Sequence, residues 1–238
     1  MFLSEIRVVL SGVSESGNVG AVCRAMKNMG LSQLHLIPAH PLSLDTIRQR
    51  AVNANDIWEN SRIFNSLEEA IADCSIVVGT TCRRGHKRKS ISMTPHDLAR
   101  WLAESQGLAA IVFGNERTGL ETEELELCNF ASHIPVSQAC PSLNLSHAVQ
   151  IYAYEFFMAM EKQRPVKGEW TPMNQAEIDS LTGKITDELA DIGFYKKPNR
   201  DYQTRFLHDV IARAGLAERE GRYLGDIIVK AGRLGAGH

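Results

Sequence analysis

Short apolar runs alternate along this chain with longer stretches in which apolar residues recur every three or four positions. Residues 6–10 (IRVVL), 34–37, 75–80 (SIVVGT), 108–113 and 131–134 are runs of the first kind. Each predicts a short strand buried on both faces, and 62–64 predicts a further short one. Between them, 18–29 reads as a helix closed by Gly30, and 44–60 as a helix in two pieces. Ser66-Leu67-Glu68-Glu69 is a capping box that opens a helix to about residue 73. Thr94 followed by Pro95 opens another, with Trp101 and Leu102 toward the core, and 122–128 forms a short acidic one. From Asn144 onward Leu145, Ala148, Val149, Tyr152, Phe156 and Ala159 return at helical spacing, so one face of this long helix is buried.

Strands and helices in alternation specify an α/β fold with a mostly parallel sheet flanked by helices. Ligands of such sheets sit beyond the carboxyl ends of the strands, which is where Thr80, Thr81, Cys82, Gly114 and Ile134 fall. The stretch 163–172 (QRPVKGEWTP) carries two prolines and a glycine and reads as a linker. It divides residues 1–162 from a small helical C-terminal domain, 173–238, with helices expected at 175–192, 202–214 and 219–231. There Lys196, Lys197, Arg200 and Arg205 suit an RNA-facing surface and a merely solvated face equally well.

A hydrophobic content of 44% with 23% charged residues describes an ordinary globular chain. No apolar run reaches the length of a membrane span, and the N-terminus lacks a signal-peptide core, so a cytoplasmic location is expected. Five scattered cysteines without a C-x-x-C pair read as reduced thiols, and the eight histidines show no ligand spacing, so no metal is expected. The net charge of -2 does not announce a nucleic-acid binder, but it conceals a local patch. RRGHKRK, at 83–89, holds five positive charges in seven residues directly after a strand end. Arg83, Arg84, Lys87, Arg88 and Lys89 are therefore candidate phosphate contacts.

The first strand-loop-helix was tested against three enzyme classes. GVSESGN, at 12–18, has the glycine spacing of a P-loop, but Asn18 stands where the phosphate-holding lysine belongs. The dinucleotide fingerprint is absent, and 12–16 fails the nucleophile elbow at its last position. What remains is a helix N-terminus with glycines nearby, an anion site suited to an RNA phosphate. Gly114 and Gly119 bracket a turn where backbone can approach a ligand, or simply a tight turn. Ser142 and Asn144 stand where the last long helix must start, and alone they would read as caps.

Taken together, 18–24 (NVGAVCR), 80–82 (TTC), 113–119 (FGNERTG) and 141–145 (PSLNL) resemble, in order and spacing, the motifs of the SPOUT superfamily of RNA methyltransferases. The likeness is nearest to its TrmH-like, ribose 2′-O branch. It implies a C-terminal trefoil knot whose loops hold S-adenosyl-L-methionine against Thr80, Thr81, Cys82, Gly114, Ile134, Pro141, Ser142 and Leu143. It also implies a catalytic set of Arg24, Ser142, Asn144, Glu116 and Asn18, with Arg24 acting in a homodimer. The implied substrate is tRNA, at the pyrimidine of position 32 that opens the anticodon loop. A ribosomal RNA target and a non-catalytic RNA-binding module are the alternatives.

Overall fold

A computed structural model describes residues 1–82, 92–160, 171–195 and 200–235. The five basic residues Arg83, Arg84, Lys87, Arg88 and Lys89, and most of the expected linker, lie outside the described residues. The chain divides into two compact units, one of Met1–Ile71 with Ile76–Lys167, the other of Ala72–Ser75 with Gly168–His238.

The first unit is built on seven strands: β1 (Ile6–Val13), β2 (Gln33–Pro38), β3 (Arg62–Ile63), β4 (Ile76–Thr80), β5 (Ser92–Met93), β6 (Ala109–Phe113) and β7 (Phe130–Ser132). They lie in the order β3-β2-β1-β6-β4-β7-β5, and every described ladder is parallel. The helices are α1 (Ser16–Asn28), α2 (Leu44–Ala51), α3 (Asn55–Glu59), α4 (Leu67–Ile71), α5 (Pro95–Glu104), α6 (Thr122–Glu126) and α7 (Leu145–Met160). Alternate strand residues Val8, Leu10, Val78, Ile111 and Phe113 point into one core, where they meet Val22 and Met26 of α1, Leu98 of α5, and Tyr152 and Phe156 of α7. Their neighbours Val9, Val77 and Val112 are equally buried on the other face. That two-sided burial is why these strands are continuous apolar runs in the sequence.

Three boundaries differ from the sequence reading, each for a local reason. β1 runs on to Val13, because Ser11 is buried and its hydroxyl bonds Glu124, while Gly12 takes φ +66° at an irregularity in the ladder. The loop before α1 is accordingly short, and α1 starts at Ser16, with Asn18 inside its first turn. β7 stops at Ser132, leaving Ile134 in the loop beyond it. β5 went unread because two residues carry no periodic signal.

In the second unit α8 (Gln175–Asp191), α9 (Arg200–Ala214) and α10 (Glu218–Gly235) enclose a core of Met173, Ile178, Leu181, Ile185, Ile211 and Ala212. α8 opens with a capping box in which Asn174 and Glu177 exchange bonds. His208 of α9 is held between Asp179 at 3.0 Å and Asp209 at 3.7 Å.

Candidate active site

The carboxyl ends of β4 and β6, the loop after β7 and the loop before α7 converge on one cleft of about 220 Å³. All eight residues expected to bind a cofactor line it: Thr80, Thr81 and Cys82; Gly114; Ile134; and Pro141, Ser142 and Leu143. Two of their donors are already engaged. The Thr80 hydroxyl donates to the carbonyl of Val112 at 2.9 Å, and the Thr81 N–H donates to the carbonyl of Ser132 at 2.9 Å. These bonds fix the end of β4 in place.

Gly114 is required for a reason other than the approach of a ligand. A Cβ there would lie 2.0 Å from the carbonyl carbon of Gly119 and 2.1 Å from the nitrogen of Leu120, so the turn closes on its own backbone. Asn115 holds that turn from inside: its Oδ1 accepts from the N–H groups of Arg117 at 3.0 Å and Thr118 at 2.9 Å. Gly119 completes it at φ +72°. The effect is to set Glu116 at the tip, between the cleft and α1.

Glu116, Asn18 and Asn144, three of the five candidate catalytic residues, form one hydrogen-bonded chain. Glu116 Oε1 accepts from the side-chain amide of Asn18 at 3.1 Å and from the N–H of Glu15 at 3.1 Å. Its Oε2 accepts from the N–H and the hydroxyl of Ser14 at 3.3 and 3.2 Å. Partial burial pushes this carboxyl up. The bonds from Asn18 and from the backbone of Glu116, Glu15 and Ser14 outweigh burial and hold it below the ordinary glutamate value. The protein's own carboxylate thus takes the N–H groups of Ser14 and Glu15, just ahead of the first turn of α1.

The Oδ1 of Asn18 in turn accepts from Asn144 Nδ2 at 3.0 Å. Asn144 also does what its position before the helix predicts: its Oδ1 accepts from the N–H and hydroxyl of Ser146 at 2.9 and 2.7 Å, capping α7. Capping and site membership are therefore the same residue's two ends. Ser142 is exposed on the cleft wall. Arg24 stands apart: it is exposed on α1, does not line the cleft, and makes no hydrogen bond or ion pair among the described residues.

Two residues bonded to or lining the site were not legible beforehand. Ser14 sits in a polar loop with nothing to mark it. Tyr152 reads as core, and is, yet it also lines the cleft; its hydroxyl donates to Ser132 at 2.8 Å, and Ser132 donates to the Met93 carbonyl at 2.8 Å. Burial drives its phenol well above the usual value, so it acts as a neutral tie between α7, β7 and β5. Among the described residues no group of three or more His, Cys, Asp or Glu could hold a metal, and no helix is long and apolar enough to cross a membrane. All five cysteines are free thiols, with Cys82 and Cys140 exposed.

A protein of Pseudomonas aeruginosa named tRNA (cytidine/uridine/adenosine-2′-O-)-methyltransferase TrmJ is 35% identical over 99% of this chain and 96% of its own. The Escherichia coli K12 protein named tRNA (cytidine/uridine-2′-O-)-methyltransferase TrmJ is 34% identical over 95% of this chain and 94% of its own. The crystal structure of TrmJ from Z. mobilis superposes with a TM-score of 0.79 at 28% identity, covering 94% of this chain and 98% of that one. Residues 5–154, which contain β1 through most of α7 and every residue of the cleft, match the SpoU rRNA Methylase family, and the chain belongs to that family.

Proposed function

We propose that this protein is an S-adenosylmethionine-dependent tRNA ribose 2′-O-methyltransferase, a cytoplasmic homodimer that modifies the pyrimidine at position 32. One observation carries the reading: four loops distant in sequence bring all eight expected donor-binding residues, with Glu116, to a single cleft. Relatives named as tRNA 2′-O-methyltransferases over nearly the whole chain support the choice of tRNA and of ribose. The cleft suits the donor chemically. Leu120, Ile134, Val136, Leu143 and Leu145 offer apolar walls for an adenine, opposite backbone at 80–82 and 141–143. When bound, S-adenosylmethionine supplies an electrophilic methyl group on its sulfonium. The protein's task is to hold the ribose oxygen in line with it.

The chain from Glu116 through Asn18 to Asn144 performs the orienting. Glu116 can only accept, so the Asn18 amide must present its NH₂ to Glu116 and its oxygen to Asn144. This sets the direction of every polar group between α1 and the start of α7, where Ser142 presents its hydroxyl. Arg24 stays protonated; its part is to orient the target hydroxyl through the adjacent phosphate and to stabilise negative charge developing on the oxygen. It reaches the cleft of a second copy. α7 supports that copy: its buried face carries Val149, Tyr152 and Phe156, while Tyr154 and Met158 lie exposed on the other side. A helix apolar on both faces calls for cover on both. The proposal includes the trefoil knot implied by the sequence motifs, and phosphate contacts by Arg83, Arg84, Lys87, Arg88 and Lys89.

The test is transfer of labelled methyl from S-adenosylmethionine to bulk tRNA and, separately, to ribosomal RNA, followed by alkaline hydrolysis. A 2′-O-methyl group removes the hydroxyl that attacks the neighbouring phosphodiester. The proposal predicts label in alkali-stable dinucleotides from tRNA. Label in mononucleotides means a methylated base, and label only in ribosomal RNA means another substrate; either result contradicts it. Donor binding without transfer to either RNA would indicate a non-catalytic module.

A further inference from the structure

Helices α1 and α2 meet without a side chain between them at Gly20. A Cβ there would lie 2.4 Å from the carbonyl oxygen of Ile47, 2.7 Å from Arg50 Cβ and 3.0 Å from the nitrogen of Ala51. Gly17, three residues nearer the start of α1, shares that face; a Cβ there would lie 4.0 Å from Arg50 Cγ. Successive carbons of the Arg50 stem therefore rest first on Gly20 and then toward Gly17. Cβ and Cγ of Arg50 thus lie over the first turns of α1, in a groove that the two glycines leave open. Asn18 is the residue beside Gly17, and it is the middle link of the chain between Glu116 and Asn144.

The charge that Arg50 carries is unmet. Arg50 is exposed, and among the described residues its guanidinium makes no hydrogen bond or ion pair. Glu15 and Asp45, the exposed carboxylates at this end of α1 and α2, do not pair with it. Glu116 is spent on Ser14, Glu15 and Asn18. A cation without a partner, on a chain that reads as an RNA methyltransferase, can receive a backbone phosphate. A guanidinium on a stem already laid down by packing is suited to the task, because its five N–H donors match phosphate oxygens and little side-chain freedom is left to lose.

We propose that Arg50 is a positioning residue that binds a backbone phosphate of the RNA strand at the start of α1. The proposal rests on the RNA methyltransferase reading above. Its test is Arg50→Met in the full chain, which keeps an unbranched stem over Gly17 and Gly20 while removing the charge. Binding of bulk tRNA is measured against potassium chloride concentration, alongside methyl-transfer kinetics and S-adenosylmethionine affinity. The slope of log K against log salt is expected to fall by about 1, and KM for tRNA to rise, with donor affinity held. Arg50→Lys should restore the slope and only part of the KM. An unchanged slope and KM, with methyl transfer intact, would overturn the role of Arg50 and leave the enzyme reading standing. A KM rise accompanied by weakened donor binding and a lowered unfolding temperature would make Arg50 structural, overturning the role as well. Wild-type protein that neither binds nor methylates tRNA would remove the enzyme reading and this role together.

Discussion

Replacing Glu116 by glutamine tests whether one carboxylate organises the site. The side chain keeps its shape, but one acceptor oxygen becomes an NH₂ donor. The carboxylate now receives four bonds, from the Ser14 N–H and hydroxyl, the Glu15 N–H and the Asn18 amide. Glutamine accepts on one side only; with its NH₂ toward Ser14, the hydroxyl there must reverse and the Ser14 N–H faces a donor, so two of the four bonds to the charged acceptor are lost. A bond to a charged acceptor contributes about 1.5–3 kcal/mol when sheltered, and Glu116 is partly open to water, so about 1 kcal/mol each is a fair share. Loss of a negative charge at the start of α1 adds about 0.3–1 kcal/mol. The sum, near 2–3 kcal/mol, lowers the thermal midpoint of a unit this size by roughly 4–10 °C. The assay is calorimetry or circular dichroism at neutral pH on both proteins, with Asn18→Ala and the double variant completing a cycle. The cycle should show coupling of about 0.5 kcal/mol or more, since Asn18 and Glu116 share a bond. A midpoint within 1 °C of wild type, or strict additivity, would refute the claim that Glu116 fixes Asn18.

Three further outcomes follow from the same geometry. Arg24→Ala should cut the methyl-transfer rate by about 10²-fold or more while leaving the unfolding temperature unchanged, because this guanidinium makes no hydrogen bond or ion pair among the described residues; Arg24→Lys at full rate would refute a requirement for the arginine fork. Burial of His208 alone would lower its pKa, but Asp179 and Asp209 raise it to about 9. A pKa raised above the unfolded value stabilises fully below about 6.5 and is lost as pH rises through about 9, a change on the order of 3 kcal/mol. Denaturant titrations from pH 6 to 10 should show that loss, and His208→Gln should flatten it. Gly114→Ala puts a Cβ 2.0 Å from backbone, so the turn must open; expression as stable protein with undiminished donor affinity would contradict the packing described.

The sheet was legible because parallel strands buried on both faces spell continuous apolar runs, as in SIVVGT and IRVVL. Two helices were legible from caps: Thr94 with Pro95, and Ser66 with Glu69, mark their starts in the sequence and bond as caps in the fold. What escaped was whatever depends on two distant segments meeting. Ser14 gains its place only when the turn at Glu116 is laid against it, 102 residues away in the chain. The carboxylate that lies just ahead of α1 escaped too, since no local pattern announces that Glu116 will bond Ser14 and Glu15. Arg50 looks like a surface helix residue until Gly17 and Gly20 are seen to guide its stem. The cleft residues were found through motif resemblance rather than periodicity, because loops that hold a ligand by backbone carry little side-chain signal.

The most direct measurement of the central claim uses purified protein, S-adenosylmethionine and tRNA transcribed without modifications, with the product mapped nucleotide by nucleotide by mass spectrometry. The account predicts one methyl group, on the ribose 2′-oxygen of the pyrimidine at position 32, and its loss with Arg24→Ala. A methyl group on a base, or unmodified tRNA despite bound donor, would contradict it.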